Sequence, residues 1–112
     1  MKYKNKRICI KGIWFHSQKE GFRYLELLQL EKQGKITDLK RQVKYELIPK
    51  QEGERPCAYI ADFTYQEGGQ TVVEDTKGYK TKDYVIKRKL MLWRHGIKTV
   101  SYTHLDVYKR QI

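Results

Sequence analysis

No run of apolar residues here approaches the roughly 20 needed to span a bilayer, and no secretory leader pattern opens the chain. A membrane protein is therefore not expected, and the cytoplasm is the expected compartment. Cysteine is scarce. The chain has two, Cys9 and Cys57, far apart and without CxxC or Cys/His spacing. A zinc ribbon and a disulfide framework are both excluded, and both residues read as reduced thiols. Repeats and low-complexity tracts are missing as well. Acidic residues are few, 13 against 24 lysines and arginines, which leaves a net charge of +11. The basic residues crowd most densely between Lys77 and Arg94. A polyanion is the partner this imbalance implies, and nucleic acid is the foremost choice. At 112 residues the chain is one small domain with a modest core.

The most informative stretch runs from Tyr59 to Lys77. Two β-rich runs, Tyr59–Tyr65 and Thr71–Lys77, flank Gly68-Gly69, which is a hairpin signature. With those glycines as the loop, 67 faces 70, 65 faces 72 and 62 faces 75. Asp62 then lies directly across from Asp75, with Cβ atoms about 4.5–5.5 Å apart. Lys77 shares the face of Asp75, and Glu74 faces the other way. Like charges opposite each other destabilise a hairpin, so a divalent cation is the expected neutraliser.

The remaining elements frame this hairpin. Arg7–Phe15 reads as a small N-terminal hairpin around Lys11-Gly12. Ser17 and Glu20 form a capping-box pattern that opens a helix running to about Gln33, stopped by Gly34. Its expected buried stripe is Phe22, Leu25 and Leu28, widened by Tyr24 and Leu27. Ile36–Ile48 is extended, with Leu39, Val43, Tyr45 and Leu47 as core positions, and Pro49 ends it. Thr81 caps a second helix, Lys82 to about His95, closed by Gly96. Its expected stripe is Ile86, Leu90 and Trp93, and Trp14 is expected to pack beneath the first hairpin. A final strand begins near Ile97. The fold class is α/β, a mixed central sheet flanked by helices, with an N-terminal β-hairpin.

Hydrolysis of a phosphodiester with Mg²⁺ or Mn²⁺ needs hard oxygen ligands and a group beside the attacking water. Asp62 and Asp75 supply the first, with the backbone carbonyl of Thr76 as a further ligand. Lys77 supplies the second, although a plain ion pair with Asp75 would also place it there. Glu20 reaches the same cation if its helix packs over the hairpin; otherwise it is a helix cap. Lys80, Lys82, Lys87 and Arg88 form a basic cluster suited to phosphates. Gln42 lies on a strand that borders the site, without an assigned role.

Tyr59-Ile-Ala-Asp62-Phe63 followed by Val73-Glu-Asp75-Thr-Lys77-Gly78 resembles the core motif of the PD-(D/E)XK nucleases. The first proline of that motif is replaced by Ala61. Ser17-x-Lys19-Glu20, Ile36-Thr-Asp38-Leu39 through Gln42, Gly78-Tyr-Lys-Thr-Lys82 and Arg88-Lys-Leu90 resemble a small phage-encoded family of that superfamily. The family stands near Holliday-junction resolvases and the endonuclease subunit of a bacterial transposase. The resemblance covers about residues 7–98. It implies a restriction-endonuclease-like core and Mg²⁺-dependent cleavage of DNA in phage recombination, replication or repair. Its catalytic signature falls on Glu20, Asp62, Asp75 and Lys77. A resolvase would act as a homodimer, since paired cuts need paired sites. The remaining alternative is a non-catalytic basic DNA-binding protein. Residues 100–111 resemble the translation of a sequencing-library adaptor. The nuclease-like domain is therefore expected over 1–99, with 100–112 as a non-native tail.

Overall fold

The computed structural model describes residues 6–76 and 81–101. Strands β1 (Ile8–Ile10) and β2 (Ile13–Phe15) form the N-terminal hairpin, with Ile10 opposite Ile13. Helix α1 (Gln18–Lys32) follows, then β3 (Thr37–Ile48), β4 (Cys57–Glu67), β5 (Gln70–Asp75), α2 (Lys82–His95) and β6 (Val100–Ser101). The second sheet has the order β3-β4-β5-β6. Its first two pairings are antiparallel, and β5 with β6 is parallel. The mixed α/β architecture and element order expected from sequence are both present.

Local chemistry sets the helix ends. Ser17 Oγ accepts from the Glu20 amide at 3.2 Å, and Thr81 Oγ1 accepts from the Tyr84 amide at 3.1 Å. Gly96 closes α2 with φ 68°, a left-handed conformation that glycine adopts without a Cβ clash.

Two apolar clusters hold the layers together. Phe15, Leu27, Ile36, Phe63 and Tyr65 join α1 and the N-terminal hairpin to one half of β4. Leu47, Tyr59, Ala61, Val73, Tyr84 and Met91 join α2 to the other half. The change of neighbours along β4 falls at Asp62. Gln42 lies opposite it, between the pairs Arg41–Phe63 and Val43–Ala61. Gln42 has φ 52°, which interrupts the pleat of β3.

Both expected helix stripes are corrected in part, since Leu27, Tyr24 and Leu90 pack against the core as expected. In α1 the buried side is Glu20, Gly21, Arg23 and Leu27, whereas Phe22 and Leu25 are exposed. In α2 it is Tyr84 and Met91, whereas Ile86 and Trp93 are exposed, Trp93 at 78%. Trp14 is exposed too, with the Arg7 guanidinium 5.1 Å from its ring centroid. The physical reason is polar. In α1 an arginine and a glutamate are buried because buried partners await them, and this rotates the helix away from its most apolar stripe. Gly21 permits the close approach, since a Cβ there would meet Ile8 Cγ2 at 2.6 Å.

Glu74 is that partner for Arg23. Its carboxylate is buried and accepts from Arg23 Nε at 2.5 Å, from Arg23 Nη2 at 2.8 Å and from the Tyr65 hydroxyl at 2.8 Å. A buried bidentate pair is strongly coupled. Glu74→Ala is expected to cost about 3–5 kcal/mol, by removing the buried bidentate partner of the guanidinium. Arg23→Met combined with Glu74→Leu is expected to recover most of that loss. Urea unfolding of the single and double variants checks both outcomes.

Candidate active site

The Gly68-Gly69 turn delivers the expected register, with Glu67 opposite Gln70, Tyr65 opposite Val72 and Phe63 opposite Glu74. One step further along this register, Asp62 and Asp75 meet. Asp62 is half-buried and Asp75 fully buried. Burial, together with the Asp75 charge, raises the Asp62 pKa, against the opposing bonds from Thr76. The Thr76 amide and hydroxyl each donate to Asp62 Oδ2 at 2.9 Å. The Tyr59 hydroxyl donates to Asp75 Oδ2 at 2.9 Å. Burial and the neighbouring Asp75 charge push the Tyr59 pKa upward, so the phenol remains a donor.

Glu20 joins this pair. In a full capping box its carboxylate would turn back to Ser17. Here it accepts from Gln42 Nε2 at 3.1 Å, and the same nitrogen reaches Asp62 Oδ1 at 3.4 Å. Burial, then the charge of Asp62, raises the Glu20 pKa, while Arg41 and His16 act in the opposite direction. Two acids, from α1 and β4, are thus connected through one amide, and Asp75 of β5 stands beside the second.

Glu74 faces away, as the register requires, into its bonds with Arg23 and Tyr65. Lys77 follows Thr76 directly and, with Lys80, lies outside the described residues. Lys82 is exposed at the start of α2, and Arg88 is half-buried one turn and a half later. Lys87 makes an ion pair with Asp83 at 3.4 Å. It also lines a cleft with Ala58, Tyr59, Ile60 and Tyr84, so it shares a wall with the tyrosine that holds Asp75.

The donor set is suited to a hard cation. Carboxylate oxygens with neighbouring backbone and water positions are what Mg²⁺ takes, and one or two carboxylates are enough. Among the described residues no group of three acidic, histidine or cysteine side chains is arranged as a ready-made cage. Asp62 and Asp75 are therefore the pair that fits, and Glu20 stands behind them through Gln42.

A family model described as a protein of unknown function, DUF1064, matches residues 1–108. The chain belongs to that family. No curated protein and no solved structure matches it. None of the described helices of this DUF1064 chain is long and apolar enough to cross a membrane.

Sequence reasoning placed Gln42 on a strand bordering the site without a role, and gave Tyr59 no part in the site beyond its place in the motif. A regular pleat sends Tyr59 and Asp75 to opposite faces, so alternation alone hides their contact. Gln42 carried no local sign of its left-handed backbone, which costs on the order of 1 kcal/mol outside glycine.

The raised Asp62 pKa has a measurable consequence. A carboxyl whose pKa is raised by folding stabilises the fold most below its unfolded value, about 4. That contribution is lost as pH rises through the folded value. The cation-free chain is thus expected to lose melting temperature with rising pH, relative to Asp62→Asn. Thermal melts of both proteins in chelator, from pH 4 to 8, test this; parallel profiles contradict it.

Proposed function

We propose that the chain is a metal-dependent DNA endonuclease that hydrolyses phosphodiester bonds. The observation that carries this reading is the meeting of Asp62 and Asp75 in the hairpin register, with Glu20 joined to Asp62 by Gln42. The PD-(D/E)XK resemblance of the same residues and the net charge of +11 support it. Phage recombination, replication or repair in the host cytoplasm is the setting that the resemblance favours.

Each residue has a distinct task. Asp62 and Asp75 hold Mg²⁺ or Mn²⁺, and the Thr76 carbonyl and Glu20 complete the oxygen environment. A bound ion of this kind supplies a water of lowered pKa and neutralises charge on the phosphate. The Thr76 hydroxyl and amide fix the Asp62 rotamer, and the Tyr59 hydroxyl fixes that of Asp75. Pre-set ligands lose little freedom on loading. Lys77, two residues after Asp75, orients or deprotonates the attacking water, or stabilises the pentavalent phosphate. Water attacks phosphorus, the phosphorus–oxygen bond to the leaving strand breaks, and the leaving oxygen takes a proton. Lys80, Lys82, Lys87 and Arg88 hold the backbone phosphates.

Asp62→Asn, Asp75→Asn and Lys77→Ala are expected to reduce Mg²⁺-dependent cutting at least 100-fold, about 2.7 kcal/mol in barrier, while duplex binding persists. Nicking assays on supercoiled, linear and four-way-junction DNA, with Mg²⁺ or chelator, make the measurement. Junction-selective paired cuts would identify a dimeric resolvase. Salt-dependent binding with no cutting under any metal would identify a non-catalytic DNA-binding protein.

A further inference from the structure

Arg41 is the one cation of β3 that stands next to the carboxylate cluster without joining it. Its guanidinium lies 4.5 Å from the ring centroid of Phe15 and 5.9 Å from that of Tyr24. Two aromatic faces thus hold the planar group in place, at a low cost in side-chain entropy when a ligand arrives. Its Nε is buried and meets no hydrogen-bond acceptor among the described residues. An orphaned buried donor is costly, and an arriving acceptor relieves that cost. Its charge is felt by Glu20, and the next residue, Gln42, touches both Glu20 and Asp62.

We propose that Arg41 is a phosphate-binding residue. Its fixed guanidinium receives a backbone phosphate of the nucleic acid beside Glu20, at the edge of the carboxylate cluster. This rests on, and deepens, the nuclease reading. A polyanion approaching a cluster of acids meets repulsion at the point where it must come closest. Of the α2 lysines, Lys82 is exposed and Lys87 is engaged with Asp83. A guanidinium clamped on two rings is a fixed positive charge, and its remaining N–H groups match the oxygens of a phosphate. The half-buried side chain keeps part of its edge open to such a ligand.

The test uses the full chain and a short fluorescent DNA duplex in chelator, titrated over a range of salt concentrations. Arg41→Met keeps an apolar stem against Phe15 and removes the charge. It is expected to bind on the order of tenfold more weakly, and to lower the slope of log affinity against log salt by about one. Arg41→Lys is expected to keep the slope and lose part of the affinity, because an ammonium lacks the planar fork. Unchanged affinity and slope in Arg41→Met overturn the proposal. If that variant fails to fold, unchanged affinity in Arg41→Lys overturns it instead. Wild-type cutting in Mg²⁺, measured alongside, separates the two readings. A chain that never cuts but shows the Arg41 effect removes the nuclease and keeps the phosphate site. A chain that cuts equally well with methionine at 41 does the reverse.

Discussion

Two carboxyl groups are held against each other in the middle of a sheet, and that contact organises this molecule. A tight glycine turn fixes which residues face each other across β4 and β5. From then on Asp62 cannot avoid Asp75. The fold tolerates the encounter by surrounding the pair with donors. Thr76 serves one acid, Tyr59 the other, and Gln42 approaches from the next strand. A structure selected only for stability gains nothing from such an arrangement, since a valine pair would fill the same space without repulsion. The local cost points to use.

The opposite side of the same strand shows the contrast. Glu74 is one residue from Asp75 and equally buried, yet its charge is fully matched by Arg23 and Tyr65. One acid binds helix to sheet, and its neighbour faces a polar cluster suited to a cation. The two-residue period of a strand separates these roles, and a slip of one residue would exchange them.

Much of this was legible in the chain. Gly68-Gly69 specified the hairpin, and hence which acids meet. Ser17, Thr81 and Gly96 marked helix ends through their own hydrogen bonding and backbone preference. The burial of the helices was not legible, because Phe22, Leu25, Ile86 and Trp93 make a better apolar stripe than the residues that are buried. Tertiary polar partners decided otherwise: Arg23 had to reach Glu74, and Glu20 had to reach Gln42. Such pairs lie far apart in sequence and leave no periodic trace. Gln42 itself depends on a left-handed residue within a strand, which no propensity signals.

Gly21 ties these parts together mechanically. It adjoins Glu20 in the first turn of α1, and its bare Cα lies against Ile8 and Ile10 of the small hairpin. A methyl group there would lift that turn like a shim under a hinge, and the Glu20 carboxylate would swing with it. The spacing of the acids is therefore gauged by an apolar contact with a peripheral ribbon. Sequence drift in that ribbon can detune the centre without altering a single charge.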